Sequence, residues 1–260
     1  MTTYLDRIVT AHRVASRGEL RSLGALIASA SNMPPARGFR AAIAEADGLA
    51  VIAEIKRRSP SKGDLNITLD PADLAMTYED GGAACLSVLT DREFFGGSAS
   101  DLTEARAVTK LPVLRKDFTV APHDVCDARL MGADCVLLIA AALHAGELRS
   151  FHELATEVGL DALVEVHDEP ELEIALEIGA TLIGVNQRDL VTFEVDHERA
   201  VRMAAAIPDG VVKVAESGVR SSDDARALRH AGYHAVLVGE TLVTAADPVR
   251  TIHELKGEDQ

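Results

Sequence analysis

The chain has 260 residues, with 26 Lys and Arg against 41 Asp and Glu, a formal charge of −15 and 47% apolar residues. Such a length and apolar content fit one or two domains around an ordinary core and exclude disorder, and the negative field excludes generic nucleic-acid binding while leaving room for a small anion in a local pocket. No basic start leads into an apolar stretch, no apolar run reaches membrane-spanning length, and Cys85, Cys126 and Cys135 lack paired spacing, so a reducing cytoplasm is expected, with neither nucleic acid nor membrane as partner.

Residues 1–48 precede the first strand-like run. Leu5, Ile8 and Val9 fall at helical spacing, as do Leu23, Leu26 and Ile27, until Pro34-Pro35 interrupts the pattern. This predicts a helical extension that covers one end of the domain that follows. A lid is the alternative, with weak support from the basic residues Arg13, Arg17 and Arg21.

From residue 49 onward, short runs of Val, Ile, Leu and Ala recur at 49–55, 83–89, 111–115, 133–139, 160–166, 180–185, 211–215 and 234–238. Several are almost wholly apolar, as strands are when helices cover a parallel sheet. The segments between them read as helices. Over 70–82, Asp70 suits the N-cap, Pro71 the first helical position, and Gly81-Gly82 the end. Segments 147–158, 169–178 and 221–231 carry one apolar face or a Ser-Asp cap, and each stops on glycine. Gly82-Ala83, Gly132-Ala133, Gly179-Ala180 and Gly232-Tyr233 repeat one phrase, a helix-stopping glycine and then a strand.

Eight such units predict an α/β fold, a (β/α)8 TIM barrel over 49–260, with 1–48 packed on it and no Pro-, Gly- or Ser-rich linker to mark a second domain. A doubly wound open sheet is the alternative. The first run, however, leads into EIKRRSPSKG, which carries neither a dinucleotide nor a Walker fingerprint.

Polar residues at the strand ends are the functional signal, because the carboxyl ends of barrel strands build the active site. Glu54 and Lys56 close the first run, two apart and so on one side of an extended chain. Lys116 follows the third run, Glu165 lies late in the fifth, Asn186 follows the sixth, Glu216-Ser217-Gly218 follow the seventh and Gly239 the eighth. A closed barrel gathers them on one rim, as an active site or as an ion-pair network capping the core. Small residues after strands 7 and 8 suit a phosphate site. No histidine or cysteine spacing marks a metal centre. His123 falls near a helix start, His167 reads as a loop-surface residue with reach to the rim as the alternative, and Lys213, out of phase with Glu216, is expected to face the helices.

Seven segments then carry a resemblance: EIKRRSPSKG (54–63), SVLTDREFFGGS (87–98), PVLRKDF (112–118), LVEVHD (163–168), GVNQRDL (184–190), VAESGV (214–219) and AVLVGETL (235–242). In this order and at these separations they resemble the indole-3-glycerol phosphate synthases, carboxy-lyases of tryptophan biosynthesis. Gln187 departs from the commoner GVNNRDL, and Asn186 and Arg188 are intact. The resemblance implies a phosphorylated small-molecule substrate, no cofactor and no metal. It implies Lys116 as principal general acid, Glu165 as general base, Lys56 as partner of the substrate carboxylate and a helper in proton transfer, and Glu54, Asn186 and Glu216 as orienting groups. It further implies substrate contacts from Ser59, Arg188 and Ser217, apolar walls from Phe95 and Phe118, and a phosphate site at Ser217, Gly218, Gly239 and Glu240. A monomer is compatible with the sequence, which leaves the oligomeric state open.

Overall fold

The computed structural model describes residues 3–60, 62–189 and 194–257; Ser61 and Leu190, which belong to two of the motifs above, lie outside them. Eight parallel strands form a closed barrel: β1 (Ala50–Ile55), β2 (Cys85–Leu89), β3 (Val113–Lys116), β4 (Cys135–Ile139), β5 (Asp161–Val166), β6 (Leu182–Asn186), β7 (Val212–Glu216) and β8 (Ala235–Val238). Each strand pairs with its sequence neighbours, and β8 closes on β1 with Ala50 opposite Ala235. The open-sheet alternative is thereby excluded. A small antiparallel ribbon, Arg58–Ser59 against Gly63–Asp64, stands in the loop after β1.

The period-two alternation of the strands divides the core in two. Ile52, Leu114, Leu137, Leu163, Leu182, Val214 and Leu237 fill the barrel interior. Val51, Val88, Val113, Val164, Ile183 and Ala215 pack outward beneath the helices. These are α1 (Tyr4–Ser16), α2 (Leu23–Ser31), α3 (Phe39–Ala44), α4 (Pro71–Asp80), α5 (Ala99–Val108), α6 (Pro122–Leu130), α7 (Ala145–Glu157), α8 (Glu169–Glu177), α9 (His197–Ala204), α10 (Ser222–His230), α11 (Glu240–Val243) and α12 (Pro248–Lys256). The expected caps are present. The Asp70 carboxylate accepts the Ala72 and Asp73 N–H groups, and Pro71 opens α4. Gly82, Gly132, Gly179 and Gly232 all have positive φ, the conformation that reverses a helix into the next strand. Lys213 faces outward as expected, its Nζ donating to the Ala204 carbonyl at the end of α9 at 2.9 Å.

The extension, expected at one barrel end, reaches both. Phe39 and Ile43 of α3, 0% and 2% exposed, join the interior cluster and plug the amino end. Helix α2 packs along α6, and α1 touches the single turn Ala140–Ala142 beyond β4 at the carboxyl end. Three short helices joined by turns run the length of the barrel, so one segment can close the bottom and shape the top. Among the described residues, no helix is long and apolar enough to cross a membrane.

Candidate active site

The interior alternation fixes the site. Going up each strand, Ala50 and Ile52 are followed by Glu54, Leu114 by Lys116, Leu163 by Glu165, Leu182 and Gly184 by Asn186, Val214 by Glu216, and Leu237 by Gly239. Each polar residue therefore occupies the last inward-facing level at the carboxyl end. They meet around a cavity of about 420 Å³, a size suited to a small ligand. Lys56, Ser59, Phe95, Phe118, Arg188, Ser217, Gly218 and Glu240 line the same cavity. All of the residues expected at the site are thus brought together.

The floor is a buried charge cluster. Lys116 Nζ lies 3.0 Å from Glu165 Oε2 and 2.5 Å from Glu216 Oε2. Asn186 Nδ2 donates to Glu165 Oε1 at 3.1 Å. Lys56 Nζ pairs with Glu54 Oε1 at 2.5 Å, so the two-residue spacing does place them on one side. Glu54, Glu165 and Glu216 are 4%, 2% and 1% exposed. Burial disfavours the Lys116 ammonium, but Glu165, Glu216 and Glu54 outweigh it and hold the proton on firmly. Burial also opposes charge on Glu165, yet Lys116 and His167 keep its carboxyl well below the usual range. Glu216 goes the other way. Burial dominates there, Lys116 only partly offsets it, and neighbouring Glu165 adds repulsion, so its carboxyl is pushed up to about 7. One cation flanked by two carboxylates of unlike acidity is a poised acid–base set.

Glycines make room for this crowding. A Cβ on Gly184 would run into the Glu216 carboxylate, and one on Gly239 would meet Glu54 and come within 2.9 Å of Lys56 Nζ. Gly184, unremarked in the sequence, carried a readable signal as a glycine inside an apolar strand. Beyond β7, Ser217 (φ 66°) and Gly218 (φ 78°) form a left-handed turn, and Ser217 is the one non-glycine with positive φ among the described residues. Gln187, the departure from the commoner motif, braces that turn. It is 1% exposed, and its Nε2 donates to the Ser217 carbonyl at 2.7 Å. Ser217, Gly218, Gly239 and Glu240 follow the adjacent strands β7 and β8 and line the cavity together.

Two features escaped the sequence reading. Tyr4, Leu5 and Ile8 of α1 line the cavity, so the extension contributes apolar wall at the mouth. Two of the three basic residues weighed as support for a lid are tied to the barrel's helices: Arg13 makes a two-pronged pair with Glu147 of α7, and Arg21 pairs with Asp127 of α6 as well as with Glu19. A further clasp holds α1 down. His12 Nε2 lies 2.9 Å from Asp91 Oδ2, and its ring packs 5.6 Å from Phe118, which in turn lies 6.2 Å from Phe95. Asp91 and Asp117 sit near His12 at metal-ligand distances from one another, but their oxygens are engaged by the Phe94, Phe95 and Phe118 N–H groups, Thr90 and Arg115. That chemistry is of a hydrogen-bonded clasp. The second feature is His167. Expected first on a surface loop, it takes the alternative place at the rim: its side chain is only 11% exposed and lies between Glu165 and Glu171.

Comparison with known proteins agrees with this geometry. The family model for indole-3-glycerol phosphate synthase matches residues 5–255. An indole-3-glycerol phosphate synthase of a Nocardioides species is 49% identical over 97% of this chain and 98% of its own length. A second from Streptomyces coelicolor is 51% identical over 93% of each chain, and one from Mycolicibacterium gilvum is 48% identical over 97% of this chain and 93% of its own. Among solved structures, a thiamine phosphate pyrophosphorylase from Pyrococcus furiosus superimposes with a TM-score of 0.62 over 81% of this chain and 95% of its own, at 17% identity, a likeness of fold alone. The chain belongs to the indole-3-glycerol phosphate synthase family.

Proposed function

We infer that the chain is a carboxy-lyase that closes the ring of 1-(2-carboxyphenylamino)-1-deoxyribulose 5-phosphate, releasing carbon dioxide and water and leaving indole-3-glycerol phosphate, in tryptophan biosynthesis. The observation that carries the reading is Lys116 Nζ held between Glu165 and Glu216 on the floor of a cavity lined also by Phe95, Phe118, Ser217, Gly218 and Gly239.

The chemistry dictates the division of labour. The ring carbon that bears the carboxylate attacks the ketone carbon, and negative charge grows on the ketone oxygen. A cation with a proton to give must stand there, and Lys116 is such a group. Carbon dioxide then leaves and the electrons of its bond return to the ring. Dehydration follows: the new hydroxyl leaves as water with a proton from an acid, and a base takes the proton lost in forming the indole double bond. Glu165, kept ionised, serves as that base. Lys56 faces the substrate carboxylate, with Ser59 and Arg188 beside it. Glu54, Asn186 and Glu216 orient the two lysines and the sugar hydroxyls. Phe95 and Phe118 flank the aryl ring, and the Ser217-Gly218 turn with Gly239 and Glu240 holds the phosphate. Gathering these groups on a rigid rim removes much of the entropic barrier. Three buried free thiols support a reducing compartment, the cytoplasm.

The test is incubation of the purified chain with this substrate alone. Indole fluorescence should rise as one carbon dioxide is released per substrate consumed. Consumption with isomerisation only, or tight binding with no indole formed, would refute the reading.

A further inference from the structure

Glu165 is approached from three sides. Lys116 holds Oε2, while Asn186 Nδ2 donates to Oε1 and His167 Nε2 lies 3.4 Å from that same oxygen. His167 is itself held from behind. Glu171, in the first turn of α8, lies with Oε2 3.1 Å from Nδ1 and accepts the His167 backbone N–H at 2.7 Å. Glu171 therefore holds the residue through its backbone N–H and its ring Nδ1, and leaves Nε2 buried 3.4 Å from Glu165 with no hydrogen-bond partner of its own. The groups that face it are carboxylates: Glu165 from β5, Glu171 from α8 and Glu216 from β7, with Lys116 of β3 on the far side of Glu165. Burial opposes a charge on the ring, but Glu171, Glu165 and Glu216 outweigh it and favour the imidazolium.

The function inferred above, on which this inference rests, creates a need for such a group. When Lys116 turns to the ketone oxygen, Glu165 loses its closest cation at the step where it must stay ionised and aligned. We propose that His167, braced by Glu171, is a positioning residue that keeps the Glu165 carboxylate in place and charged while Lys116 is engaged with substrate. Asn186 fixes the orientation of the carboxylate but brings no charge, so the histidine is the second cation of the base.

The experiment is the pH dependence of kcat for His167→Gln and His167→Lys beside Glu165→Gln and the parent. Gln removes the charge at similar size, and His167→Lys restores a cation. His167→Gln should lower kcat about tenfold at neutral pH with KM within about twofold, and should move the acid limb of kcat about one unit to higher pH, because a carboxylate without its cation is harder to ionise. His167→Lys should move the limb back. Glu171→Gln should shift it in the same direction as His167→Gln, by less. A pH profile of His167→Gln that superimposes on the parent overturns the proposal. So does a loss of kcat with an unmoved acid limb, which makes the histidine merely structural. If Glu165→Gln keeps its kcat, the base assignment falls and this proposal with it. If Glu165→Gln is inactive and His167→Gln is normal, this proposal alone falls.

Discussion

Two buried charge clusters sit at opposite ends of the barrel, and they are built to different rules. At the amino end, Asp134, 0% exposed, precedes β4 and spends its carboxylate fully: it accepts the Arg37 and Val113 N–H groups and pairs with Arg106 at 2.5 Å. Buried Arg129 and, at the surface beside it, Arg37 add hydrogen bonds to backbone carbonyls of the neighbouring loops. At the carboxyl end, one ammonium is shared by two carboxylates, Glu216 Oε1 and His167 Nε2 have no hydrogen-bond partner, and a cavity lies over them. A satisfied network braces a fold, whereas an unsatisfied one beside a cavity is held for a ligand. The difference teaches that counting buried ion pairs does not locate function; asking which of them keep unused capacity does.

The contrast can be broken or sharpened by substitution. Lys116→Met should lower kcat at least about a thousandfold, with native far-UV circular dichroism, since both acid and charge are lost at the reacting oxygen. Near-normal turnover would remove Lys116 from the chemistry. Glu165→Gln should lower kcat about a hundredfold while KM changes little; equal losses in binding and rate would make it a substrate-positioning group instead. Asp134→Ala should leave kcat within about twofold but drop the thermal midpoint by about 10 °C, because breaking a buried pair costs about 3–5 kcal/mol. If instead activity fell with no loss of stability, the division between the two ends would fail. The smallest effect is on the profile of kcat/KM. With the Glu216 carboxyl pushed up to about 7, the free enzyme should show an acid limb near neutrality that Glu216→Gln removes.

Much of this was legible because a barrel writes itself locally. Each apolar run is a strand buried on both faces, each Gly-Ala junction is a helix end, and the polar residue that ends a run lines the cavity at the carboxyl end by topology. The strand pattern alone places Glu54, Lys116, Glu165, Asn186 and Glu216 on one rim. What could not be read depends on packing between distant segments. Leu5 and Ile8 have the helical spacing of any core-facing stripe, and nothing local says that their core is the mouth of a cavity. Both ends of α6 were legible, at Pro122-His123 and at Gly132, but not its buried face, which includes Arg129, satisfied by the carbonyls of Pro34 and Val158 and breaking the apolar pattern. His167 read as a surface residue because its burial is supplied by Glu171 and the rim, outside the strand that ends just before it.

The claim that the upper cluster is arranged for reaction at a cost in stability rests most directly on Glu216. A carboxyl whose folded pKa lies above its unfolded value stabilises the fold below the unfolded value, and that contribution is lost as pH rises towards 7. The decisive measurement is the thermal midpoint of Glu216→Gln against the parent at pH 8 and at pH 5. The account predicts a higher midpoint for the variant, with the larger gain at pH 8, alongside a lower kcat. A variant that melts below the parent at pH 8 would show that Glu216 braces the barrel, and would contradict it.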